Sequence, residues 1–163
     1  PYTVEFARQT DHAGNPYRVG VNYGLVRLGA AYRGVNVEGG YVHLQGRSAT
    51  NTFQTPLGHP QNGWIEKFLV TPSAGAYRGL RIGTAAFSTD ALPVPGLGLT
   101  VAFYDYWADQ GGGHYGRELD ASLNYRVVPG DGRWRVGWRF GRYRADQLLT
   151  NSLRTSLFTT HTF

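Results

Sequence analysis

The charged side chains Arg27, Glu38, Arg81, Glu118, Asp120, Arg135 and Arg139 recur at positions that an alternating chain would hold on one face, with Arg33 and Arg154 near strand ends. A guanidinium is a planar fork that donates two parallel hydrogen bonds to a carboxylate, and it remains charged in any ordinary solution. An excess of arginine lining one space makes a positive field that favours anions. The competing reading is structural: the same arginines can pair across strands with the carboxylates and stiffen a wall. Trp64 and Lys67 belong to a different setting, residues 47–77, where no regular period is seen. Folded inward, that segment would offer an indole to stack on a sugar and an ammonium to meet a carboxylate; folded outward, it would be an ordered external cap.

Catalytic chemistry is poorly provided for. The chain has no cysteine, and its histidines, His12, His43, His59, His114 and His161, have neither a nucleophile elbow nor a spaced acid–base pair beside them. Asp109, His114 and Glu118 are the one set considered as ligands for calcium or another metal, and they sit around a Gly-rich stretch. An enzyme is not expected, and no metal or cofactor is implied.

The elements that must carry these residues are strands. In 133–140, Trp134, Val136, Trp138 and Phe140 oppose Arg133, Arg135, Gly137 and Arg139, and in 118–125 Leu119, Ala121, Leu123 and Tyr125 oppose Glu118, Asp120, Ser122 and Asn124. Residues 99–108 alternate in the same way, and no segment offers a helical stripe. The pattern predicts about eight strands, near 2–9, 19–33, 35–46, 78–88, 98–108, 116–127, 133–144 and 153–163. Several exceed the usual length of a globular strand and match what a tilted membrane-spanning strand requires.

Composition points the same way. Of 163 residues 23 are Gly, 14% are aromatic and only 17% are charged, and the net charge of +5 rests on arginine because Lys67 is the sole lysine. Blocks of basic residues are absent, so no nucleic-acid partner is expected. No run of about 18 apolar residues supplies a transmembrane helix. A chain ending in Phe163 is expected to place that residue in a last barrel strand at the periplasmic interface. Parity then puts short turns at 33–35, 89–97 and 129–132 on the periplasmic side and longer loops at 10–18, 47–77, 109–115 and 145–152 outside. The expected fold is all-β, an antiparallel transmembrane β-barrel forming one domain over 1–163. Two alternatives stay open: a small closed eight-stranded barrel with a structural or adhesive role, and a soluble lipocalin-like ligand-binding barrel.

"PYTVEFARQTD" at 1–11, "FQTPLGHPQNGWIEKFLVTPSAG" at 53–75, "YDYWADQGGGHYGRELDASLNY" at 104–125 and "GRYRAD" at 141–146 together resemble the C-terminal part of the alginate export family of outer-membrane porins. The chain departs from that family's pattern at Ile65 and Glu66, at Tyr104, and at Thr159 and His161. The resemblance implies the C-terminal portion of a barrel of about 16 to 18 strands, wide enough for an aqueous channel. It also implies a bacterial outer-membrane location, outer-membrane lipid around the barrel, recognition of the C-terminal strand by barrel-assembly machinery, and an anionic polysaccharide or uronate cargo. The arginine excess agrees with such a cargo, although the residues alone call only for an anion.

Overall fold

The computed structural model of the chain describes residues 1–54, 63–73, 75–127 and 134–161. Alternating sequence becomes strand throughout: β1 (Tyr2–Thr10), β2 (Gly20–Tyr32), β3 (Val35–Leu44), β4 (Gly46–Ser48), β5 (Asn51–Thr52), β6 (Leu80–Thr89), β7 (Leu97–Trp107), β8 (His114–Arg126), β9 (Trp134–Ala145) and β10 (Ser152–His161). Among the described residues there is no helix. Eight strands form one antiparallel sheet in the order β1-β2-β3-β6-β7-β8-β9-β10, and β4 pairs with β5 in a small hairpin inserted after β3. The eight long strands fall within a couple of residues of where the alternation places them. The sheet does not close on itself: β1 and β10 are its two edges.

The connections separate by length. At one end of the sheet lie the two-residue turn between β2 and β3 and the 90–96 connection; at the other lie 11–19, the long segment between β3 and β6, 108–113 and 146–151. The expected turn at 129–132 and the terminal Phe163 lie outside the described residues. Arg33 and Gly34 both have positive φ, 47° and 77°, which is the geometry of the hairpin turn whose twist suits antiparallel strands. The positive φ is what favours glycine at position 34, since the nearest atom to a Cβ there is the mobile Asp90 carboxylate.

Register assigns the faces. Residues directly opposite in an antiparallel pair share a face, and Arg27, Gly40, Thr84, Tyr104, Glu118 and Tyr143 are linked in this way from β2 to β9. Described parts of the segment between β3 and β6, Phe53 and residues 63–68, lie against this face. At the long-loop end it carries the core: Val21, Tyr23, Leu25, Val42, Leu44, Leu80, Ile82, Tyr106, Tyr115 and Tyr143, closed over by Phe53 and Phe68 from the covering segment. A bulge completes it. Tyr106 pairs with Gly116 and Trp107 with His114, so Tyr115 has no opposite residue and is turned onto the covered face, where it is buried.

The opposite, open face is graded along the strands. On β9 it runs Trp134, Val136, Trp138, Phe140 and then Arg142 and Arg144; on β8 it runs Tyr125, Leu123, Ala121, Leu119 and then Arg117. On β7 the switch falls between Phe103 and Asp105, the partner of Arg117. The open face thus has an apolar band towards the short-turn end and a polar margin towards the long-loop end.

Candidate functional site

Residues 63–68 of the long segment between β3 and β6 fold against the covered face. The Trp64 N–H donates to Asp120 Oδ2 at 2.9 Å and the Ile65 N–H donates to Glu118 Oε1 at 2.8 Å. Alternation on β8 puts those two carboxylates side by side on one face, where two successive backbone donors can engage them. Both acids are fully buried. Gly63, at φ 91°, brings the backbone so near that a Cβ would clash with the Glu118 carboxylate. On the far side of the segment Arg154 of β10 donates from Nη1 to the Trp64 carbonyl at 3.0 Å, with Glu66 Oε2 at 3.5 Å.

Apolar contacts continue the attachment. The Phe68 ring lies 4.6 Å from that of Tyr106, 5.6 Å from Tyr115 and 6.1 Å from Tyr143. Burying a phenylalanine of this kind contributes about 1.5–3 kcal/mol. Phe53 stacks on Tyr23 at 5.4 Å. Further out, Asp109 in the 108–113 loop accepts from the Gly46 N–H at 3.1 Å and meets His43 Nε2 at 2.8 Å, tying the start of the long segment to the neighbouring loop.

Beside the covering segment is a cavity of about 220 Å³ lined by Trp64, Glu66, Arg139, Gly141, Arg154 and Ser156. Arg139 lies between two rings, 5.5 Å from the Trp64 centroid and 4.4 Å from that of Phe158. Contact with both rings holds the guanidinium in place by cation–π attraction and leaves its N–H donors available. One wall of the cavity therefore presents an indole, and two guanidiniums and a carboxylate border the same space. A second cavity of about 200 Å³ at the short-turn end is lined by Asp90, Asn124, Arg126 and Arg135 among others, with Arg126 directly opposite Arg135.

The residues singled out from the sequence divide into groups. Arg27, Glu38, Glu118, Asp120, Arg135 and Arg139 all lie on the covered face. Arg27 and Glu38 approach at 4.0 Å across β2 and β3, the cross-strand pairing that competed with an anion role. Glu118 and Asp120 anchor the segment and do not line an open space.

Arg81 is a correction. It pairs with His43 and Trp107 on the open face and forks onto the Ala108 carbonyl at 3.0 and 2.6 Å. The alternation misleads because Leu80 and Ile82 face the covered core, so on β6 the apolar residues point inward at this end. Trp64 reaches the cavity, whereas Lys67 turns away from it, its ammonium 5.6 Å from the Tyr143 ring.

Asp109, His114 and Glu118 do not come together: Asp109 meets His43, His114 meets Asp105 and Asp146, and Glu118 meets Ile65. Among the described residues no group of three or more His, Asp or Glu side chains is placed to hold a metal.

Sequence reasoning undervalued Glu66, Phe68 and the tyrosines of the core, and left Arg154 as a strand-end residue. Only the register brings them together. Comparison with family models, curated proteins and solved structures finds no match to this chain.

Proposed function

We propose that the sheet is part of the wall of a bacterial outer-membrane β-barrel channel that passes organic anions, with an anionic polysaccharide such as alginate, or uronate oligomers, as cargo. The observation that carries this reading is the cavity of about 220 Å³ on the covered face, where Trp64, Arg139 and Arg154 converge. An aromatic ring offers a sugar an apolar platform, and a forked guanidinium offers a uronate carboxylate two parallel hydrogen bonds. A volume below the several hundred Å³ of drug-sized sites suits a single sugar ring.

Three further points support it. The open face carries Phe103, Leu119, Leu123, Trp134 and Trp138 outward, which lipid accepts readily and water does not. The edge strands β1 and β10 leave backbone groups that a wall of further strands would pair. The block at 53–75 resembles the alginate export family.

On this reading the covering segment narrows the passage, and the arginines beside it set its charge preference. The reversal potential of the reconstituted protein across a salt gradient tests it. Anion preference is expected, and Arg139→Glu should reduce it while leaving the protein folded. Cation preference in the unaltered protein would refute the arginine argument, and an unchanged reversal potential in Arg139→Glu would assign that residue to the wall alone.

A further inference from the structure

We infer that the polar margin of the open face holds a binding seat for the anionic phosphate headgroup of a membrane lipid, formed by Arg142 and Arg144 of β9 with Arg117 of β8; this rests on the reading that the open face meets lipid. Arg144 lies directly opposite Arg117, a like-charge pairing that costs stability unless an anion bridges it. Arg142 lies between two leucines, Leu119 on β8 and Leu153 on β10. A charge in that position belongs at the interface, where its head reaches polar surroundings while its stem covers apolar surface.

Arg117 has Asp105 at 3.4 Å as a partner. Among the described residues no hydrogen bond, ion pair or ring contact engages the guanidinium of Arg142 or Arg144. A shallow cavity of about 590 Å³ is lined by Arg142, Arg144, Asn151, Ser152 and Leu153 among others. Leu153 lies opposite Arg142, and from there towards the short-turn end the open face continues through Phe140 and Trp138; Arg117 flanks Arg144 from β8 and is not part of this lining. Phosphate matches the guanidinium fork and has oxygens enough to meet more than one arginine. An acyl chain descending from such a headgroup would lie along the apolar band. A lipid whose phosphate carries no attached cation satisfies both halves of this surface, whereas in a zwitterionic headgroup the ammonium beside the phosphate opposes the arginines.

The test uses the full chain reconstituted in phosphatidylcholine vesicles. Phosphatidic acid with brominated acyl chains is titrated in and tryptophan quenching followed, with brominated phosphatidylcholine as the comparison lipid and inorganic phosphate as competitor. Phosphatidic acid is expected to quench at the lower mole fraction. Arg142→Gln with Arg144→Gln, both at exposed positions, should raise its half-quenching fraction by about ten-fold or more and leave quenching by brominated phosphatidylcholine unchanged. Equal quenching by the two lipids, or a preference that survives the double substitution, overturns the seat and leaves the membrane reading standing. Inorganic phosphate, which has the same oxygens but no acyl chains, is expected to displace the lipid only in large excess; displacement at an equal concentration would overturn the lipid as the occupant. Absence of quenching by either lipid overturns the membrane reading, and the seat falls with it.

Discussion

At the scale of the residue, one alternation serves two purposes. Glu118 and Asp120 are adjacent on the covered face of β8 because side chains repeat every two residues, and the same spacing matches two consecutive backbone N–H groups, those of Trp64 and Ile65. Replacing both acids by alanine removes both acceptors, and a buried donor left without one costs about 1–3 kcal/mol. Faster amide hydrogen exchange at Trp64 and Ile65 is the expected result, together with higher conductance in the reconstituted protein. Exchange that stayed slow would show that Phe68 and its tyrosines hold the segment without the carboxylates. That these acids lie on a face with Arg139 could be read from the sequence. Their occupation by a backbone could not, because nothing in a string of residues shows that a segment more than fifty positions away returns to them. Arg81 failed for a related reason: its neighbours Leu80 and Ile82 are apolar towards the core, and polarity alone does not say which side a core is on.

At the scale of the element, the long-loop end is held by contacts between loops as much as by the sheet. Burial pushes the Asp109 carboxyl up, but the Gly46 N–H, His43 and Gln110 directed at it outweigh burial and hold it below its ordinary value. With the folded value lowered, the unfolded chain binds more protons than the folded one around the carboxyl range. The stabilisation is therefore complete above the unfolded value of about 3.9 and is lost as pH falls through the lower folded value. Asp109→Asn should flatten the loss of stability below about pH 4, checked by urea unfolding as a function of pH. Parallel curves for the two proteins would rule out this role. The strands themselves were legible, since eight alternating runs stand at nearly the predicted places. The small hairpin of β4 and β5 and the bulge at Tyr115 were not, being fixed by neighbours in space; the bulge puts His114 and Tyr115 on the opposite sides from those that unbroken alternation along β8 would give.

At the scale of the whole molecule, the two faces divide the labour. The covered face combines a core, a pinned segment and arginines, while the open face passes from an apolar band to a charged margin. Because the chain has no cysteine, a single one introduced at Leu119, Leu123 or Leu157 reports alone. A spin label at these positions is expected to be relaxed by dissolved oxygen in bilayers and shielded from a water-soluble nickel complex; the opposite result would refute lipid contact. In the channel proposed above, the attachment of the covering segment bears on how the protein could change over generations. Glu118 and Asp120 grip main-chain amides, which every residue except proline supplies. Positions 64 and 65 are thereby excused from fastening the segment with their own side chains. The indole facing the cavity could be exchanged for another group while the strap stayed in place, so cargo preference could drift without a new anchorage having to evolve.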